Sequence, residues 1–360
     1  VTRSRVPLLA APPPAAALLL GPLLPGLLLP GLLLPAPAAA ATGAGPPTAV
    51  VALGDSAAAG DGAGDYEPGT RGEGGDWCHR SPHAYVHRTA LAAASVNLAC
   101  SGAEADDVAF GAPGHHTEGS QAQRLVGVAR EHRVTAVVLQ VGANDEVDLS
   151  GAGVACVRAH LDPVEPPCRE TLGPLVAQRA AATARRVGAA LADVRAAMAR
   201  AGYRRDDYAL VLASYAAPVT ERMVPFPAVR GCPVGRADAS WARAVLFPAL
   251  SAALRGVAAR DGARFLDLVR ATEGFEACSR SPRSAERQRR LTVDPEVFVH
   301  GSPHEAVRHL AQESFHPTAA AHAEIGRCLG EFVRSGALRG ACVTGADGRA
   351  RVETGPRTAA

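Results

Sequence analysis

The chain has 360 residues, a length equally compatible with two modest domains or one large α/β domain, and its 48% apolar, 20% charged and 4% aromatic residues exclude a disordered chain. Its formal net charge is only +2, its basic residues are all arginine, and no basic stripe alternates with aromatic residues, which argues against nucleic acid as a partner. Eight cysteines without a CxxC pair argue against the common zinc arrangements and for a disulfide framework, whose connectivity the sequence leaves open.

In chain order, the first segment places two arginines before a long uncharged apolar run that ends in small residues near Ala39 to Ala41. That is the order of an export signal, so residues 1–41 are expected to be a signal peptide and the protein to be secreted. A retained membrane anchor is the alternative reading, although repeated Pro and Gly interrupt the helix that it needs.

Five apolar runs of strand length follow: AVVALG at 49–54, SVNLA at 95–99, AVVLQVG at 136–142, ALVLASY at 209–215 and ARFLDL at 263–268. They are rich in Val and Leu and do not alternate with polar residues, the pattern of parallel strands buried on both faces. Segments of helical period lie between them, at about 82–94, 120–132, 173–201, 238–260 and 318–335. Right-handed crossovers then give a three-layer α/β/α sandwich around a five-stranded parallel sheet. The expected domain covers 48–335, with 336–360 as a peripheral C-terminal tail. Three irregular stretches, about 143–172, 216–237 and 269–316, each follow a strand and emerge at the carboxyl edge of the sheet, where binding sites form.

Ser56 comes directly after the first strand, in VVALGDSAAAG. On local evidence it reads as the cap of the next helix. The next two strand ends change that reading, because Gly102 in NLACSGAEADD and Asn144 in LQVGANDEVD converge on the same edge. A serine hydroxyl attacks acyl carbons, a glycine N–H approaches a substrate closely, and an asparagine amide adds a second donor to an oxyanion. The base that such a serine needs lies downstream in AQESFHPTAAAHAEIG. There His316 precedes a proline suited to a helix's first turn, and Glu313 stands three residues before it. The expected catalytic set is therefore Ser56, His316 and Glu313, with an oxyanion hole from Ser56, Gly102 and Asn144.

The blocks GDSAAAG, CSGAEA, VGAND and FHP occur in the order found in the GDSL/SGNH hydrolases, and the chain resembles that family over about Val50 to Arg334. The resemblance implies a flavodoxin-like fold and the Ser, Gly, Asn and His roles at 56, 102, 144 and 316. CHRSPHAY at 78–85 and NLACSGA at 97–103 are similar to exported, disulfide-bonded bacterial lipases and esterases of the family. By that resemblance the cysteines pair as 78 with 100, 156 with 168, 232 with 278 and 328 with 342. Glu313 departs from the usual Asp three residues before the histidine, and in some members a backbone carbonyl takes that place.

Other motifs lead elsewhere. In HEAVRH the histidines at 304 and 309 are five apart and would point about 140° away from each other on a helix, unlike a zinc-binding i, i+4 pair. NDEVDLSG lacks the spacing of a calcium loop, His115 and His116 read as loop residues, and the basic run at 279–290 reads as an exposed loop. GxSxG, Walker and GxGxxG motifs are absent. The expectation is thus a secreted monomeric serine esterase or lipase that needs no cofactor or metal, acting on small-molecule or lipid esters with transient contact to a lipid surface. A glycan O-acetyl esterase, an acyltransferase and an inactive binding domain are the alternatives.

Overall fold

The computed structural model describes residues 45–300 and 302–355. The expected signal peptide at 1–41 lies outside the described residues. Seven strands form one sheet in the order β2-β1-β3-β4-β5-β6-β7. They are β1 (Thr48–Gly54), β2 (Ala94–Asn97), β3 (Arg133–Gln140), β4 (Ala209–Ala213), β5 (Arg264–Asp267), β6 (Arg339–Thr344) and β7 (Ala350–Thr354). The first six run parallel, and β7 turns back antiparallel along β6.

The helices, in chain order, are α1 (Ser56–Ala59), α2 (Ala105–Val108), α3 (Gln121–Glu131), α4 (Leu149–Leu161), α5 (Cys168–Leu172), α6 (Val176–Arg200), α7 (Arg236–Trp241), α8 (Phe247–Asp261), α9 (Val297–His300), α10 (Pro303–His309) and α11 (Ala319–Ser335). Successive residues of the central strands feed opposite faces of the sheet. Val51, Leu53, Val137, Leu139 and Leu212 pack with α3, α6 and α8 on one side. Val50, Ala52, Val138, Val211 and Leu266 pack with Tyr85 and with Ile325, Leu329 and Phe332 of α11 on the other. This period of two explains why the runs are uniformly apolar, since a strand between two helical layers has no wet face.

The three layers are as expected, but the sheet has seven strands and not five. The additional two come from the stretch after 335, expected as a peripheral tail. β7 is the edge strand and β6 its neighbour, both with many residues half or fully exposed, so β7 reads ARVET and shows no apolar run. The segment expected as a helix at 82–94 is instead a single 3₁₀ turn, Tyr85–Arg88, followed by Ala90 at φ +51°. A Cβ placed on Gly326 or Gly330 of α11 would meet the backbone of Tyr85 or of Thr89, an approach too close for side chains of another helix to fit between. Disulfides join Cys78 to Cys100, Cys156 to Cys168, Cys232 to Cys278 and Cys328 to Cys342, the pairing that the resemblance implies.

Register places the site. Leu53 and Gly54 lie level with Leu139 and Gln140, and the Cys100 N–H donates to the Gly54 carbonyl at 3.0 Å. The ends of β2, β1 and β3 therefore stop at one height, which sets Gly102, Ser56 and Asn144 side by side along the carboxyl edge.

Candidate active site

Gly54 ends β1 at φ +139°, and a Cβ there would collide with the Gln140 carbonyl. Only glycine fits this close strand-to-strand approach. The helix cap is Asp55, whose Oδ1 accepts the Ala57 N–H at 3.1 Å. Ser56 is thus the first residue of α1 and its hydroxyl is free for another partner. Its Oγ lies 2.8 Å from Nε2 of His316. On the other side of that ring, Nδ1 lies 3.1 Å from the Ser314 carbonyl oxygen. A carbonyl only accepts, so Nδ1 carries the hydrogen and Nε2 presents its lone pair to the serine.

Glu313 is not placed against the imidazole. Its carboxylate accepts the Tyr66 hydroxyl at 2.7 Å and stands 3.8 Å from an Arg289 guanidinium nitrogen. The reason is the turn from Glu313 to His316, closed by the His316 N–H on the Glu313 carbonyl at 3.3 Å. Phe315 occupies its third position at φ +59°, the left-handed conformation that glycine usually takes in a type II turn. That twist brings the Ser314 carbonyl under the ring and leaves the Glu313 side chain on the far side.

Gly102, at φ +79°, and the half-buried Asn144 line the same cavity as Ser56 and His316. One amide hydrogen of Asn144 is donated to the Ala103 carbonyl at 3.0 Å, which fixes the side chain and leaves the second hydrogen available. The cavity has a volume of about 590 Å³, and Leu149, Val157, Val219, Leu246, Phe247 and Phe315 give it an apolar wall.

Buried groups that the sequence did not point to support this edge. The Tyr215 hydroxyl donates to Oδ2 of Asp55 at 2.5 Å and accepts the Ala143 N–H at 3.1 Å, so it ties the Ser56 turn to the Asn144 turn. Tyr215 closes the fourth apolar run, and the same strand-end rule would have found it. Burial pushes the Asp55 carboxyl up to about 7, against the donors from Tyr215, Ala57 and Ala143. Asp145 is likewise pushed up to about 7 by burial, partly opposed by the Ala105 N–H, which donates to its Oδ2 at 3.1 Å. Asp61, which also lines the cavity, accepts the Ser101 hydroxyl and pairs with Nδ1 of His79 at 2.9 Å, both residues being fully buried.

The remaining motifs are absorbed by packing. His309 stacks on Trp77 and His304 contacts Arg308. His115 and His116 approach Cys100, whose sulfur is already bonded to Cys78. Part of the basic run is internal, where the sequence suggests an exposed loop. Arg290 is buried against Glu286, and Nε of Arg289 donates to the Gly62 carbonyl at 2.7 Å.

A serine hydroxyl against an imidazole, with amide donors nearby and an apolar cavity in front, at the carboxyl edge of an open α/β sheet, is the apparatus of a carboxylic ester hydrolase. The chain belongs to the GDSL-like lipase/acylhydrolase family, whose model matches residues 52–324. Among solved structures it is similar to an extracellular lipase from Streptomyces rimosus, at 20% identity over 80% of this chain and 99% of that one with a TM-score of 0.48. It is also similar to a phospholipase A1 from Streptomyces albidoflavus, at 19% identity over 76% of this chain and 94% of that one with a TM-score of 0.47. A carbohydrate acetylesterase from Sinorhizobium meliloti is a third, at 11% identity over 80% of this chain and 99% of that one with a TM-score of 0.36. No curated protein matches the sequence.

Proposed function

We propose that the protein is a secreted esterase that cleaves esters of apolar acyl chains through an acyl-serine intermediate. The observation that carries the proposal is the 2.8 Å contact between Ser56 Oγ and His316 Nε2 at the mouth of an apolar cavity. Ser56 attacks the acyl carbon and gives its proton to Nε2, while the Nδ1–H keeps donating to the Ser314 carbonyl. The Ser56 and Gly102 N–H groups and the free Asn144 amide hydrogen hold the oxyanion. The imidazolium then returns the proton to the departing alkoxide, and water enters by the same route to release the acid. Four disulfides suit an oxidising compartment.

The apolar wall favours an extended acyl chain over acetyl, because each buried methylene contributes about 0.8 kcal/mol. A panel of p-nitrophenyl esters should show kcat/KM rising from acetyl to medium chains. In Ser56→Ala, kcat should fall by roughly three orders of magnitude or more on every member. Full turnover by Ser56→Ala would overturn the mechanism, and a preference for acetyl would overturn the substrate class.

A further inference from the structure

The distance between Ser56 and His316 depends on how two separate pieces of chain are held together. One is α1 with the loop after it, and the other is the Glu313 to His316 turn. Gly62, in that loop, lies directly beneath the turn: a Cβ on it would come within 2.9 Å of the His316 Cβ and 2.8 Å of the Pro317 carbonyl oxygen. The Tyr66 hydroxyl uses both of its hydrogen-bonding capacities across this junction. It accepts the Gly62 N–H at 3.1 Å and donates to Glu313 Oε1 at 2.7 Å. Arg289 closes the other side. Its Nε donates to the Gly62 carbonyl at 2.7 Å, its N–H donates to the His316 carbonyl at 2.8 Å, and its carbonyl accepts the Phe315 N–H at 3.2 Å. Behind Tyr66, its ring stacks on His79 with centroids 4.3 Å apart, and His79 is held by buried Asp61, the neighbour of Gly62.

The turn needs such anchoring. A non-glycine residue at positive φ costs of order 1–3 kcal/mol, and it persists only where the surroundings over-determine it. Phe315 at φ +59° is such a residue, and it is also the hinge that puts the Ser314 carbonyl under the imidazole.

We infer that Tyr66 and Glu313 form a clamp that sets the position of His316 relative to Ser56, with Glu313 acting as a positioning residue through the Tyr66 hydroxyl and not on the imidazole. The inference rests on the acyl-serine reading above. Burial, with the charges of Asp61 and Glu313, pushes the Tyr66 hydroxyl pKa up and keeps its proton available for donation.

The test compares kcat, KM and the pH dependence of kcat/KM for Tyr66→Phe, Glu313→Ala, Glu313→Gln and the double variant Tyr66→Phe/Glu313→Ala. Misplacing a base by about 1 Å lowers kcat by up to roughly 100-fold. Tyr66→Phe and Glu313→Ala should therefore each lower kcat by about 10- to 100-fold with KM nearly unchanged, and the double variant should be no worse than the weaker single one. Glu313→Gln keeps an acceptor for the Tyr66 hydroxyl and should retain most of the activity. The inflection of the pH profile should stay in place in all four. Wild-type kcat in Tyr66→Phe, or losses that multiply in the double variant, would overturn the clamp. So would an inflection lowered by a unit or more in Glu313→Gln but not in Tyr66→Phe, the sign of a carboxylate acting on the imidazole itself. If Glu313→Ala does not fold, the isosteric pair Tyr66→Phe and Glu313→Gln decides the question alone. Turnover in Ser56→Ala sinks the acyl-serine reading, whereas an inactive Ser56→Ala beside a normal Tyr66→Phe sinks only the clamp.

Discussion

At the scale of single residues, the site is built from groups whose partners are chosen so that one atom stays free. Asp55 takes the capping bond of α1, which releases the Ser56 hydroxyl to face His316. Asn144 spends one amide hydrogen on Ala103 and keeps the other. Tyr215 joins the two turns by accepting from Ala143 and donating to Asp55. Its phenol bridges the two turns beside the direct Ala143 N–H to Asp55 bond at 3.3 Å, so Tyr215→Phe leaves the ring in place and removes the bridge through the hydroxyl. A hydrogen bond to a buried carboxyl contributes about 0.5–1.5 kcal/mol when the group is neutral and about 1.5–3 kcal/mol when it is charged, and the variant should lose stability within that range in urea unfolding. It should also lose kcat, because Ser56 and Asn144 are no longer held to a common post. A variant that unfolds like the wild type and turns over normally would show that the direct Ala143 N–H to Asp55 bond and the backbone fix the two turns without the phenol.

At the scale of elements, what was legible in the sequence follows from burial. β1, β3 and β4 are sealed between two helical layers, so they appear as apolar runs, and the ends of β1, β2 and β3 disclose Ser56, Gly102 and Asn144 as neighbours. β6 and β7 lie at the sheet's margin with exposed faces, carry Arg and Glu, and give no run to read. The place of Glu313 was illegible for a different reason. Its side-chain direction depends on the left-handed backbone of Phe315, which no residue pattern announces, and on Tyr66, which reaches it from 247 residues away. The 3₁₀ turn at Tyr85–Arg88 was hidden in the same way, because its form is set by α11. That helix presents Gly326 and Gly330, one turn apart, to the backbone of residues 85–89. Gly326→Ala should raise intrinsic helix propensity by about 1 kcal/mol yet destabilise the protein, since inserting atoms into a closed contact costs about 1–3 kcal/mol. A lower melting temperature is the expected outcome. A higher one would mean that the contact yields and that propensity wins.

At the scale of the whole molecule, buried ionisable groups make stability depend on pH in two opposing senses. Burial holds Asp55 and Asp145 up at about 7, from an ordinary 3.8, so the fold binds their protons more readily than the unfolded chain does. Their contribution is therefore full below about 3.8 and is lost as pH rises towards 7. His322 acts in the opposite sense. Burial holds it down at about 4, from 6.5, so its contribution is full above 6.5 and is lost as pH falls through 4. His116 is likewise held down at about 4 by burial and acts in the same sense as His322, and each such group changes stability by at most about 1.4 kcal/mol per pH unit. Asp145 isolates the effect, because it is buried, its Oδ1 has no partner among the described residues, and Asn has the same shape. Asp145→Asn should consequently gain stability relative to the wild type as pH is raised from 4.5 to 7, by no more than about 1.4 kcal/mol for each pH unit. Urea unfolding of both proteins across that range reads the difference directly. Curves that run parallel would mean that Asp145 is ionised throughout, with the Ala105 N–H outweighing its burial.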